Sequence, residues 1–502
     1  MREIVCDKSI IDSAPNARTT RAHENNTYGY GLHGANIWST EDWGWFTRAG
    51  SARLDVDDNL SKLRTRSRDL YMSSALISAL LLTLRDGVIG RGLRLNAEPD
   101  AFYLGLDLDA LSTWKQRTEG LFERWARRCG INDESFDDVL RLVFFSAILS
   151  GDCFVNVVLD PWPKLQIIEG DRVNTPPDRI DDTYTRCGIK FSKRGRAVGY
   201  FVALEHPSDN PNTEYRYIQR FDNLRGGIIH IHVPYERPEQ VRGIPLISRV
   251  IESMKQLDRY IDAEQMAAVV TSKFTVFLNH PQDVSWDDPT PSNPDVAPMA
   301  LGDGTIIHTY DGATPTFANP SRPVANFDAF VGSITKQICA AIGLPSEIVL
   351  RSYNASYSAS RAAILDADRT YRVYRAQLTS QLSDAIYSMW LGIAIRAGLI
   401  EAPGFDADYH TRLAWSGCVW FSDALPSLDP TKEVQAAQMR LDAGLTTYAR
   451  ETEELTGMDA AATLATLAWE NAQRESYRLI RDNNNNPVQV EADNVSDNEQ
   501  DR

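Results

Sequence analysis

Apolar residues along this chain follow helical spacing first, then strand spacing, then helical spacing again. Residues 67–84 place Leu70, Ala75, Ile77, Leu80, Leu81 and Leu84 in helical register, and Gly87, Gly90 and Gly92 break the pattern. A second helix is expected over 112–128, with Trp114, Leu121, Phe122 and Trp125 as its apolar positions. Ser135 reads as the N-cap of a third, with Asp137 and Asp138 in its first turn. That helix runs through Leu140, Val143, Phe144 and Ile148 to Gly151. From Cys153 to Tyr235 the pattern changes to short β-branched runs at 154–158, 165–168, 189–191, 198–204 and 228–233, separated by prolines. Strands that follow helices, without βαβ alternation, predict a mainly helical α+β fold.

Two strongly periodic rods come next. In 246–270, Ile247, Val250, Met254, Leu257 and Ile261 recur at three- and four-residue spacing, while Lys255, Arg259 and Asp262 share another face. In 326–342, Phe327, Phe330, Val331, Ile334, Ile338, Ala341 and Ile342 form one apolar stripe, closed by Gly343 and Pro345. A proline-rich excursion separates the rods, with strand-like runs at 274–278 and 305–310. After a loop at 344–356, a proline-free helical pattern reaches residue 397, about 60 Å at roughly 1.5 Å per residue. Asp429 and Pro430 open another helix, and 459–481 predicts one more. Residues 1–60 are polar, with Trp38, Trp43 and Trp45 clustered, and the Asn-rich acidic stretch 483–502 is expected to be disordered.

Composition narrows the function more by exclusion than by indication. The 502 residues are 43% hydrophobic and 24% charged, within the range of soluble globular proteins. The longest apolar run, 75–84, is about half of the roughly 20 residues that a membrane span needs, and the N-terminus has no signal-like core. A protein folded in the cytoplasm, without a membrane partner, is expected. Cys6, Cys129, Cys153, Cys187, Cys339 and Cys418 show neither CxxC nor zinc spacing, so reduced thiols are expected. His230 and His232 share a strand face but lack a nearby third ligand. No P-loop, GxSxG or HExxH occurs, and Ser333 to Lys336 match SxxK without its companion motifs. The reading is therefore no enzyme, no cofactor and no metal. A formal charge of −16 argues against sequence-specific DNA binding. It suits a conduit that touches DNA without holding it, and it suits many acidic enzymes as well, so alone it decides nothing.

Five segments, in order, resemble the lambda-type family of phage portal proteins. They are Arg66-Ser67-Arg68-Asp69-Leu70 leading to Gly87-Val88-Ile89-Gly90-Arg91-Gly92-Leu93; Gly151-Asp152-Cys153-Phe154-Val155 with Glu169-Gly170-Asp171-Arg172; Gly188-Ile189-Lys190-Phe191 with Val198-Gly199-Tyr200; Ile229-His230-Ile231-His232 with Arg237-Pro238 through Arg242-Gly243-Ile244-Pro245 and Leu257-Asp258-Arg259; and Gly343-Leu344-Pro345 with Tyr357-Ser358-Ala359-Ser360-Arg361. The last departs slightly from the family's usual Tyr-Ser-Ser before that Arg. The resemblance spans about residues 60–440.

It implies a homo-oligomeric ring of about twelve subunits, a dodecamer, at one capsid vertex. Double-stranded DNA would pass through it non-specifically, and the terminase large subunit, capsid or scaffold and head-completion proteins would dock on it. Assembly would take place in the host cytoplasm. The implied organisation is an arm (1–60), a wing (61–245), stem helices (246–271 and 326–343), a clip (272–325), a tunnel loop (344–360), a long helix (361–400), a crown (401–482) and a tail (483–502). Terminase is expected at 282–303. Expected DNA-channel residues are Lys255, Arg259, Lys336, Arg351, Asn354 and Tyr357. Expected inter-subunit residues are Phe327, Phe330, Ile334, Arg361, Arg369 and Arg372. Two rivals remain at this point: another head–tail adaptor ring, and an intracellular α+β enzyme with no recognisable motif.

Overall fold

The computed structural model describes residues 50–233, 235–272, 276–279, 314–317, 327–353, 356–422, 429–458 and 460–476. The tryptophan cluster at 38–45, the run at 305–310, the 282–303 terminase expectation, Asn354 and the acidic tail lie outside them. The body opens with α1 (Leu60–Ser73) and α2 (Ala75–Ile89). The sequence suggested one helix here; instead Ser74 turns extended, and the two meet at 101°. The Ser74 hydroxyl accepts from the Ile77 N–H, so the break is also a cap. The turn lets α2 enter the core, where Ile77, Leu80, Leu81, Leu84 and Val88 are fully buried. No single described helix is long and apolar enough to cross a membrane.

β1 (Arg94–Ala97), α3 (Ala101–Leu104) and α4 (Leu108–Ala126) lead to α5 (Phe136–Ser150), which Ser135 caps at the Asp138 N–H. The strands then form two antiparallel sheets. β2 (Asp152–Asp160) lies between β3 (Trp162–Glu169) and β8 (Gly227–His232). β4 (Thr185–Arg186), β5 (Ile189–Phe191), β6 (Ala197–Ala203) and β7 (Tyr215–Gln219) form the second sheet, in that order. β2 carries six successive buried residues at its start because helices cover one face and the second sheet the other.

A 3-10 turn, Leu246–Arg249, precedes α6 (Ile251–Ser272), so the first rod begins a turn later than its periodicity suggests. β9 (Val276–Asn279) pairs antiparallel with β10 (Thr314–Phe317) within the excursion. α7 (Phe327–Ile342) is the second rod, and α8 (Ser346–Val349) occupies the expected loop. α9 (Tyr357–Leu378) runs through a π-turn, Thr379–Ser383, into α10 (Asp384–Arg396), matching the long helix expected from sequence. The extra residue of the π-turn places Gln377 and Gln381 over the edge of β8. Both amides donate to the His232 carbonyl, and the Gln381 side-chain oxygen accepts from its N–H.

α11 (Tyr409–Trp415) and β11 (Cys418–Phe421) return to the body, where β11 pairs with β1. Trp420 joins Phe122, Trp125, Phe136, Tyr387 and Trp390 in an aromatic core, with Phe122 and Trp390 centroids 5.1 Å apart. Phe405, Trp415 and Trp420, in the segment expected to begin the helical crown (401–482), are buried in the body's core. α12 (Pro430–Asp442), α13 (Tyr448–Thr456) and α14 (Ala460–Ser476) are the last described elements, and Ala437 and Glu451 are the only residues among those described in 430–476 that are buried.

Candidate channel wall and ring contacts

A buried ionic cluster fixes the body from which both rods leave. Asp152, at the start of β2, has a fully buried side chain. Arg64 of α1 reaches it at 2.5 Å, and Arg242 at 2.6 Å, with both guanidiniums almost completely enclosed. Arg242 also donates to the carbonyls of Gly170, Val173 and Cys187, and Arg64 to that of Ser150. Its guanidinium lies over the Phe154 ring at 5.1 Å, and the His230 ring stacks on the same phenyl at 4.3 Å. His230 Nε2 donates to Asp152 at 3.2 Å. Burial alone would raise the Asp152 carboxyl; Arg242 and Arg64 outweigh it and hold the group well below the usual carboxylate range. For His230, burial outweighs Asp152 and lowers the imidazole to about 4. Gly151 and Gly243 make the cluster possible, since a Cβ on Gly243 would lie 1.9 Å from the Gly151 carbonyl oxygen. No group of three or more His, Cys, Asp or Glu among the described residues could hold a metal ion.

Among the described residues, the rods are buried in the body at one end. Met254 and Leu257 of α6, and Ile338, Cys339 and Ile342 of α7, are buried in the body. Farther out the two helices meet through Tyr260, whose ring lies 5.7 Å from Phe327 and 4.6 Å from Phe330. Beyond that contact α6 leaves Met266 and Val269 more than half exposed, and Phe330 of α7 is 46% exposed. Lys255, Arg259 and Lys336 are all exposed. Burial and Asp262 together raise the Asp258 carboxyl on the same helix. Of the expected ring-contact residues, Phe327 packs on its own chain's Tyr260, Ile334 is half-buried against the core, and Phe330 keeps a free flank.

The loop between α7 and α9 gives a mixed outcome. Arg351 is exposed and adopts φ +53°, a left-handed conformation that glycine takes more cheaply. It follows the last turn of α8, where such a residue closes a helix. Tyr357 is 44% exposed, but its ring sits under the Lys432 ammonium at 5.4 Å. Arg361 pairs with Glu433 at 3.5 Å, so these two residues tie α9 to α12 within one chain. Arg372 pairs with Asp368 one turn back at 2.6 Å. Arg375 donates to the carbonyls of Val88 and Gly87. Arg369 is exposed.

Reading the segments for their order along the chain missed what they do together. Arg64, Asp152, Asp171 and Arg242 come from four separate stretches and meet in one cluster. The available signal was charge placed beside tight turns: Asp152 follows Gly151, and Arg242 precedes Gly243.

An α+β body with two half-covered helices, joined through an excursion that carries a strand pair, is the architecture of a connector subunit. The family described as phage portal protein, lambda family, matches residues 39–375, and the chain belongs to that family. Members of it are structural components rather than enzymes. The chain is 24% identical to the portal protein of Escherichia phage N15 over 445 residues, covering 81% of this chain and 83% of that one. It is 23% identical to portal protein B of Escherichia phage lambda over 443 residues, with the same coverage. Among solved structures, it matches a chain from the neck of the native gene transfer agent particle computed with C12 symmetry, at a TM-score of 0.44 and 12% identity. That match covers 78% of this chain and 92% of the other.

Proposed function

We propose that the chain is one subunit of a closed ring of about twelve copies at the portal vertex of a phage capsid, assembled in the host cytoplasm. Double-stranded DNA passes through the ring without sequence reading, during packaging and again during ejection. The terminase large subunit, capsid or scaffold and head-completion proteins dock around it. The body carries the wing role, α6 and α7 the stem, the β9–β10 strand pair the clip, the segment around Arg351 the tunnel loop, and α12–α14 the crown.

The observation that carries this reading is the half-wrapped state of α6 and α7. Each helix has one stripe in the body and another left open, as a wall element shared between neighbours requires. Repetition around a ring turns each exposed Lys255, Arg259 and Lys336 into a circle of positive charge. The net charge of −16 per copy supplies an opposing field. Sparse cations in an acidic tube exchange phosphates readily, because each contact is weak and screened by salt.

Replacing Lys255, Arg259 and Lys336 together with alanine should leave rings intact in negative-stain images. Nuclease-protected DNA per particle should fall several-fold; full packaging would remove these three residues as channel contacts. Arg351 separates backbone from charge. Arg351→Gly relieves a left-handed residue, worth about 1 kcal/mol, so the melting temperature should hold or rise by a few degrees. Packaging should still drop, because the exposed guanidinium is gone. A glycine variant that packages normally would assign Arg351 to loop geometry alone.

A further inference from the structure

The turn between β5 and β6 gathers cations on a chain whose net charge is −16. Lys190, Lys193, Arg194 and Arg196 fall in one short run, 190–196, that contains no carboxylate. Residues 193–196 are exposed, and a Cβ on Gly195 would meet nothing within 4 Å. The ribbon stands clear of its neighbours here. Among the described residues, its outermost main-chain bonds to them run from the Phe191 N–H to the Tyr184 carbonyl and from the Arg220 N–H to the Val198 carbonyl. The turn is nonetheless held in one shape. The Ser192 N–H donates to the Arg196 carbonyl at 2.8 Å, and the Gly195 N–H to the Ser192 carbonyl at 2.9 Å. The Arg196 N–H donates to the Ser192 hydroxyl at 3.2 Å, and Gly195 supplies the φ of +77° that closes the turn.

The four cations have no ion pair among the described residues, and Lys190 lies over the Tyr217 ring at 5.4 Å. The carboxylates on the approach to β4 are engaged elsewhere. Asp181 accepts from the Thr175 hydroxyl and the Cys187 N–H, and Asp182 from the N–H groups of Tyr184 and Thr185. Like charges held this close raise one another's energy, and a polyanion relieves it. A protein partner needs an apolar anchor beside the charges. Residues 192–196 are Ser, Lys, Arg, Gly and Arg, and offer none. Charge without such an anchor is the footprint of sequence-independent contact with phosphates. The shape agrees, because two strands about 5 Å apart fit a DNA major groove about 12 Å wide, and the cations then face its phosphate rims.

We propose that the β5–β6 turn is a DNA contact separate from the stem, in which Lys193, Arg194 and Arg196 hold the phosphate backbone of a duplex and Lys190 adds charge behind them. The inference rests on the reading above that double-stranded DNA is what this protein handles. It differs from the stem in kind. Lys255, Arg259 and Lys336 are spread over two helices and suit release, whereas cations packed into one turn neutralise several phosphates together. Such binding is tight at low salt and steeply salt-dependent, with log K falling by about 0.9 per phosphate for each decade of salt.

The test is binding of full-length protein to a short labelled duplex, followed by fluorescence anisotropy as salt is raised. Replacing Lys193, Arg194 and Arg196 together with glutamine should weaken binding roughly tenfold or more at low salt and make the slope of log K against log salt shallower by about 3. The melting temperature should match wild type, because the three side chains are exposed and unpaired. A duplex of shuffled sequence should bind equally well. Arg194→Glu should weaken binding more than Arg194→Gln, which separates charge from turn geometry. The variant with alanine at Lys255, Arg259 and Lys336 should keep the share of the slope that the turn supplies. Unchanged affinity and slope in the glutamine variant overturn the contact. Polyglutamate that displaces the duplex at equal charge concentration also overturns it, and assigns the turn to an acidic protein. Both results leave the ring reading standing, since particle images and packaged DNA decide that separately.

Discussion

Asp152→Asn should be among the most damaging single substitutions in the chain, lowering stability by about 3–5 kcal/mol. The change keeps the side chain's size and removes its charge. Arg64 retains Asp171 at 3.0 Å, but Arg242 is left with main-chain carbonyls and no directly paired carboxylate, and its side chain is 1% exposed. Removing one member of a buried ion pair costs far more than the pair adds to stability, because the remaining charge stays desolvated. In thermal unfolding of the purified protein this corresponds to a shift on the order of 10 °C. The comparison variant is Arg127→Ala. Its pair with Glu123 is a helix-surface contact, with both side chains 71% exposed, and its loss should cost under about 0.5 kcal/mol. A double variant, Asp152→Asn with Arg242→Met, removes both charges and keeps an unbranched chain over Phe154, so it should recover part of the loss. Equal melting temperatures for wild type and Asp152→Asn would show that the cluster does not hold α1, β2 and the segment before α6 together.

How far the chain could be read in advance depended on which force placed each residue. The rods, α5 with its Ser135 cap, the long α9–α10 helix and the principal strands follow from local periodicity and capping, which the sequence displays directly. β1 and β11 were not legible, because they are four residues each and their pairing joins segments more than 300 positions apart. The same pairing sets residues 418–421 against the body. The bend at Ser74 was missed because apolar spacing continues across it, and only the serine cap marks the break. Among the candidate site residues, exposure of Lys255, Arg259 and Lys336 followed from helix faces. The partners of Tyr357 and Arg361 did not, since Lys432 and Glu433 lie on α12, and no local rule brings that helix to the start of α9. Ring contacts are harder still, because they depend on which surfaces one copy leaves uncovered.

Acid should act on the same cluster through two groups of opposite sign. His230 has an unfolded value near 6.5 and a folded value of about 4, because burial disfavours its cation. The unfolded chain therefore binds more protons in this window. The contribution of neutral His230 is complete above pH 6.5 and is lost as pH falls to 4, a change of about 3 kcal/mol. Asp57 behaves in reverse. Burial, resisted by Arg242, raises its carboxyl from 3.8 to about 6, and its Oδ1 is buried without a hydrogen-bond partner. The folded state binds the extra proton here, so the penalty of a charged Asp57 is full above pH 6 and disappears as pH falls towards 4. Between pH 6 and 4 the two contributions oppose each other, and substitution of either exposes the other. His230→Gln should be destabilised most at pH 7, with the difference from wild type shrinking towards pH 4. Asp57→Asn should be more stable than wild type at pH 7 and lose that advantage over the same range. Denaturant midpoints at pH 7, 5.5 and 4 measure both slopes. Parallel pH profiles for wild type and His230→Gln would mean that the imidazole already carries its proton in the fold, and that Asp152, not burial, governs it.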